Sequence, residues 1–274
     1  MLAPERRAEI ARMIETYGSV RVAELSQMFG VTEETVRRDL EALERLGVLE
    51  RTYGGAVKPR GISFESPYAG RAAMQRAEKM AIAEVIADLV DDRETILLDA
   101  SSTALYVARA LRRRQGLTVL TNSLAIVHEF RGEENFTVMC TGGTLRTNSQ
   151  SFVGPHAERA LREYHVDKAI ISCRGLHVER GLTDSNDLEV EMKRLMMGAA
   201  NEVIAAVDSS KWGYVGFALI GPVSSVHRIV TDSGAPPADV DAIRQLGVKV
   251  HVAPGQAAAP AAPGSNADAR NGRP

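Results

Sequence analysis

The sequence predicts an α/β protein in two domains, a small helical unit with a β-ribbon followed by a larger, largely parallel α/β sheet. Three observations predict it: amphipathic helix patterns crowded into residues 1–58, apolar runs alternating with helical patterns over 76–253, and a Pro- and Gly-bearing linker, 59–75, between them. At 274 residues the chain has the length of a small module plus one larger domain.

In the first unit, Pro4 suits a first helical position, and Ile10, Met13, Ile14 and Tyr17 recur on one face. A second helix puts Val22, Leu25, Met28 and Phe29 together before Gly30 turns the chain. Thr32 then offers a hydroxyl to cap a third helix, whose dipole Glu33 and Glu34 complement. Val36, Leu40 and Leu43 recur at i, i+4 and i+7 and face inward, which leaves Thr35, Arg37 and Arg38 on or near the outer face. Gly47 ends the helix, and residues 49–52 and 56–58 read as two strands joined around Tyr53-Gly54-Gly55. This is a winged helix-turn-helix. Exposed arginines alone are ordinary solvated charges; in this frame they become a set that meets base edges and phosphates of double-stranded DNA. The set is Thr32, Thr35, Arg37 and Arg38 in the groove, with Arg51, Tyr53 and Lys58 from the wing.

Composition narrows the function. A formal net charge of −2 argues against a histone-like coat, so specificity rests on where charges sit. Cys140 and Cys173 both close apolar runs and read as buried thiols in a reducing cytosol. No His/Cys cluster has metal-ligand spacing, and neither a metal nor a cofactor is expected. The N-terminus lacks a signal-type apolar core, and no uncharged apolar run reaches the ~20 residues of a membrane span, so a soluble cytoplasmic protein is expected. Residues 254–274, rich in Ala, Pro, Gly and Asn, are expected to form a disordered tail.

The second domain shows strand patterns at 95–99, 117–121, 136–140, 169–172, 203–208, 229–232 and 248–252. Most are near-continuous apolar runs, the mark of strands buried on both faces. Ligands of such sheets bind beyond the carboxyl ends of the strands. There the chain turns small and polar: Asp99, Ser101, Ser102 and Thr103 lead into a helix, Asn122 ends the next strand, Gly142 and Gly143 follow a third, and Lys211 follows a fourth. Separately these are a cap, a turn and a surface charge. Four at four strand ends read as a cradle for a phosphate. Arg174 either adds a second anion ligand or pairs with Asp184 or Glu189. Asp184, Asp187, Glu189 and Glu191 are candidates to meet ligand hydroxyls, although Glu191 with Lys193 and Arg194 also reads as a charged helix face.

The run Thr35-Val36-Arg37-Arg38-Asp39-Leu40, with Leu43-Glu44 and Gly54-Gly55-Ala56 at fixed spacing behind it, resembles the signature of the DeoR family of bacterial transcriptional regulators, and the resemblance continues nearly to Val252. It implies a sensor domain similar to ribose-5-phosphate isomerase that takes a phosphorylated sugar. Three positions depart from the usual pattern: Tyr53 for histidine, Ser101 for glycine in the first loop, and Arg174 for a small residue. The function expected is a repressor of a carbohydrate-utilisation operon, without catalytic residues, assembled as a homo-oligomer, dimer or tetramer, because a lone reader touches one half-site. The alternative is an isomerase-like enzyme carrying a DNA-binding domain.

Replacing Arg37 or Arg38 with alanine is expected to weaken operator binding by about 1–3 kcal/mol where the side chain meets a guanine edge, with little change in unfolding. A gel-shift titration checks it: two single variants that bind as tightly as the unaltered chain would mean that this helix does not lie in the groove.

Overall fold

The computed structural model describes residues 1–59, 61 and 63–255; residues 256–274 of the expected tail lie outside the described residues. The first unit runs α1 (Ala3–Tyr17), β1 (Ser19–Arg21), α2 (Val22–Phe29), α3 (Glu33–Arg45), β2 (Glu50–Thr52) and β3 (Gly55–Val57). A short helix, α4 (Tyr68–Ala73), lies within the segment expected as a linker. The second unit follows as α5 (Arg76–Asp88), β4 (Thr95–Leu98), α6 (Ser102–Leu111), β5 (Thr118–Thr121), α7 (Leu124–Glu129), β6 (Thr137–Cys140), β7 (Thr144–Arg146), β8 (Ser151–Val153), α8 (Pro155–Arg162) and β9 (Val166–Ile171). It closes with β10 (Gly175–His177), β11 (Gly181–Asp184), α9 (Asp187–Gly198), β12 (Ala200–Ala206), β13 (Ala218–Gly221), β14 (Arg228–Thr231), α10 (Pro237–Gln245) and β15 (Lys249–Val252).

Ile10, Ile14, Leu25, Val36, Leu40 and Leu43 bury together as the reader's core. Two expected members do not join it: Tyr17 and Met28 are exposed. Met28 lies six residues past Val22, about a quarter of a turn off the centre of the stripe that Val22, Leu25 and Phe29 share. Tyr17 closes α1 just before Gly18 turns left-handed and carries the chain away. The wing gains a third strand that the pattern did not announce, because β1 pairs with β3 through Ser19–Val57 to Arg21–Gly55. Asp39, 2% exposed, accepts from Arg6 Nε at 2.6 Å and Arg7 Nε at 2.8 Å, and so pins α3 to α1.

The seven strands expected from their apolar runs form one parallel sheet in the order β15-β14-β12-β9-β4-β5-β6. Side chains alternate between its faces: Leu97, Ala169, Ile171 and Ala205 face one cluster, while Ile96, Leu98, Ile170 and Ile204 face the other. Chain order steps outward from β4 through β5 to β6, then returns to place β9 on the opposite side of β4. The split between β4 and β9 is therefore a topological switch point, where loops diverge and leave a crevice. Two small antiparallel pieces sit around it, the sheet β10-β11-β13 and the hairpin β7-β8. Cys173 is buried as expected, but Cys140 is exposed, because β6 is the last strand of the sheet and has a neighbour on one side only. Among the described residues, no helix is long and apolar enough to cross a membrane.

Asp39→Ala leaves two guanidiniums facing a vacated site, one of them buried. It is expected to destabilise the reader by about 3 kcal/mol. Urea unfolding followed by circular dichroism checks this, and an unchanged midpoint would refute the tie between α1 and α3.

Candidate functional site

The reading face is built as follows. Thr32 caps α3, its hydroxyl accepting from Thr35 N at 3.2 Å. Arg37 and Arg38 are exposed, 52% and 75% at the side chain, and each lies against the glutamate one turn back: Arg37 Nη2 donates to Glu33 at 2.8 Å, and Arg38 Nε to Glu34 at 3.1 Å. On the wing, Arg51 is held by Glu44, whose carboxylate also accepts the Arg51 backbone N–H at 3.0 Å, and Tyr53 stands fully exposed at the tip. Lys58 differs from the expectation. It follows β3 half-buried and lines a cavity.

That cavity opens at the switch point. From the sheet ends come Ala100, Ser101, Ser102, Ser172, Cys173, Arg174, Asp208, Ser210 and Lys211; from β11 and α9 come Asp184, Ser185, Glu189 and Lys193. The remaining wall comes from Ser149 of the β7-β8 hairpin and from chain on the other side: Val48 and Lys58 of the reader, then Pro59, Phe64, Glu65, Ser66, Arg71, Met74 and Gln75, with Lys79 from α5. One cavity thus touches both domains and the segment that joins them.

Its centre is a charge network. Asp99 accepts backbone N–H groups from Ser101 at 3.1 Å and Ser172 at 2.9 Å, which joins the ends of β4 and β9. Lys193 Nζ donates to the Ser172 carbonyl at 2.7 Å and Asp184 Oδ2 at 2.6 Å, with Asp99 Oδ2 3.3 Å away. Burial alone would lower the Lys193 pKa, but the charges of Asp184 and Asp99 outweigh it and hold the ammonium above its usual range. Lys211 Nζ donates to Ser172 Oγ at 2.8 Å and lies 3.2 Å from Asp208 Oδ2. Burial would raise Asp208, yet the charges of Lys211 and Lys79 and a hydrogen bond from Ser210 keep it below the usual carboxylate range. Buried donors and acceptors without a partner among the described residues include Arg71 Nη2, Arg174 Nε, Thr103 Oγ1 and Asn122 Oδ1.

Comparison with known proteins decides the lineage. Residues 6–60 match the model of the DeoR-like helix-turn-helix domain, and residues 74–233 match that of the DeoR C terminal sensor domain. The chain belongs to the DeoR family. An HTH-type transcriptional regulator of Bacillus subtilis, YulB, is 43% identical over 93% of this chain and 98% of that one. The transcriptional repressor AccR of Agrobacterium fabrum is 36% identical over 84% of this chain and 90% of its own. A putative aga operon transcriptional repressor of Escherichia coli O157:H7 is 32% identical over 90% and 92%. Among solved structures, a ribose 5-phosphate isomerase from Methanocaldococcus jannaschii is a partial likeness, 20% identical over 49% of this chain and 53% of that one with a TM-score of 0.36. A DeoR-family chain is a DNA-binding transcriptional regulator and not an enzyme, which removes the isomerase alternative.

Of the effector residues expected for this DeoR-family sensor, Ser101, Ser102, Arg174 and Lys211 line the cavity, and Asp99 braces it from beneath. Ser101 is also the N-cap of α6, accepting from Ala104 N at 3.0 Å. Thr103, Asn122, Gly142 and Gly143 do not line it. Thr103 is fully buried inside the first turn of α6. Asn122 donates from Nδ2 to the Phe152 carbonyl at 3.1 Å and so fastens β8, while Gly142 and Gly143, both at positive φ, turn the chain into β7. Their strands, β5 and β6, lie outward from the switch point. Arg174 pairs with neither Asp184 nor Glu189 but stacks over Tyr214, 5.1 Å from the ring centroid. Glu189 accepts instead from Arg146 at 2.5 Å. Lys193, expected on a charged helix face, is buried at the centre, and Lys79 and Arg71 gave no sequence signal beyond helix or linker composition.

Lys79 is 3% exposed and donates to the Arg71 and Met74 carbonyls; burial pulls its pKa down to about 7. Between that value and the ordinary 10.5 the unfolded chain binds a proton that the folded chain does not, so stability rises with pH across this window and levels off below it. Melting temperatures from pH 7 to 9 should therefore rise more in the unaltered protein than in Lys79→Met. Parallel curves would refute the assignment.

Proposed function

We propose that this regulator is a repressor of a carbohydrate-utilisation operon and that a phosphorylated sugar in the switch-point cavity releases it from its operator. The observation that carries the reading is the composition of the cavity wall, shared between the sensor's strand ends and the chain leading out of the wing. Lys211, Arg71 and Arg174 supply positive charge for a phosphate; Ser101, Ser102 and Ser210 supply hydroxyls; Asp184 and Asp208 are acceptors for sugar hydroxyls. Two relatives bear the word repressor in their names, which supports the sign of regulation. Release follows as a population shift: a ligand that prefers one placement of the readers draws the protein toward it. Two half-sites require two readers, so the working unit is a homo-oligomer held by the sensor domain.

Lys211→Ala removes a charge-assisted contact of about 1.5–3 kcal/mol and should need about tenfold more sugar phosphate to release the operator. It would act as a super-repressor. The measurement is operator release against a panel of sugar phosphates and their unphosphorylated parents. An unchanged midpoint, or equal response to both forms of a sugar, would refute the reading.

A further inference from the structure

Resting on that reading, we propose that α4 is the coupling lever of the protein: Arg71 takes part of the effector's anionic group, and Gly70 beside it passes the displacement to the end of the recognition helix. Four sets of contacts carry this.

The first is that the connector belongs to both domains. Tyr68 is buried in the sensor's core and Ala72 packs on the same cluster, while Met74 packs on the reader's core. Tyr106 Oη donates to the Ala72 carbonyl at 3.2 Å, so α4 lies down on α6.

The second is the joint with α3. A Cβ built on Gly70 would stand 2.1 Å from the Leu46 carbonyl oxygen, and one built on Gly47 would stand 2.2 Å from Pro67 Cδ. Leu46 is the C-cap of α3, and Gly47 follows it at φ +64°. Two glycines thus bring the connector against the last turn of the recognition helix with no side chain to cushion the contact. Close-packed contacts of this kind transmit shifts of tenths of an ångström instead of absorbing them.

The third is the state of Arg71. Its Nε donates to the Ser66 carbonyl at 3.1 Å and its guanidinium lies over the Tyr68 ring, 5.6 Å from the centroid. Its Nη2 is buried without a partner among the described residues. An anionic oxygen entering the cavity satisfies that donor. The Lys79 amine donates to the Arg71 carbonyl, so a shift of Arg71 acts on the backbone of α4 as well as on its side chain.

The fourth is an anchor at the other end. Glu65 is gripped by Arg146 at 2.5 Å, Asn148 Nδ2 donates to the Glu65 carbonyl at 3.2 Å, and Tyr68 N donates to the Asn148 carbonyl at 2.8 Å. The start of the connector is therefore fixed on the β7-β8 hairpin. A pull at Arg71 tilts α4 about that anchor, and the tilt is delivered at Gly70.

The test uses the full chain, an operator selected from random DNA, and as probes orthophosphate and a panel of pentose and hexose monophosphates with their free sugars. Calorimetry gives probe affinity, and gel shifts give operator affinity with and without probe. Arg71→Met should weaken phosphate-bearing probes about tenfold. Gly70→Ala should bind the probes within about twofold of the unaltered chain, yet its operator affinity should barely respond to them, since the coupling energy has lost its path. Operator release in Gly70→Ala equal to that of the unaltered chain overturns the lever alone, as does Arg71→Met with unchanged probe affinity. An unaltered chain that responds to no probe overturns the effector reading, and the lever with it. If Gly70→Ala does not fold, hydrogen exchange in the unaltered chain decides: altered protection at both 46–48 and 70–75 on adding an active probe supports the lever, and a change confined to the sensor overturns it.

Discussion

The buried ammonium of Lys193 ties together the ends of three strands at the mouth of the cavity. It reaches Asp99 at the end of β4, the Ser172 carbonyl at the end of β9 and Asp184 at the end of β11. Those three points belong to two different sheets. In a parallel sheet every carboxyl end faces the same side, so the polar groups that end the strands crowd one edge and must be neutralised there. A single lysine from α9 does this for two carboxylates and a carbonyl, and it bridges the small antiparallel sheet to the large one. The cavity lies beside this bridge, with Asp184 and Lys193 in its lining. Removing any member strands a buried charge, which is why the network reads as a structural base on which Lys211, Arg71 and Arg174 are mounted.

Much of the fold was legible because strands buried on both faces write near-continuous apolar runs, as most strands of the large sheet do. What escaped was short and non-local. β1 exists because Ser19 meets Val57, β11 pairs with β13 about forty residues on, and β10, β11 and β13 are three- and four-residue pieces with glycines. No local pattern encodes such a strand.

The site was legible to the extent that topology permits. The strand ends do border the cavity, and of the residues expected there Ser101, Ser102, Arg174 and Lys211 line it. Sequence gives the strands but not their order, and order decides which ends are neighbours. With β4 beside β9, the loops after β5 and β6 are carried away from the crevice, and with them Asn122, Gly142 and Gly143. Lys193 was hidden for a related reason. It stands in a run with Glu191 and Arg194 that resembles a solvated face, and only the packing of α9 against β11 and β9 shows which of the three points inward.

The reading helix holds each of its two outward arginines against a glutamate of its own, Glu33 for Arg37 and Glu34 for Arg38. These carboxylates behave as resident counterions. On arbitrary DNA, a guanidinium that moves to a phosphate abandons one anion for another, and the glutamate is left facing a polyanion. Exposed pairs of this kind are each worth roughly 0.5 kcal/mol, so giving up both would cost about fivefold in affinity for a random site. A site offering guanine edges returns more than that. If these arginines do meet DNA, their glutamates would count against every random sequence and not only some of them, since phosphate is the same at each, whereas base edges differ.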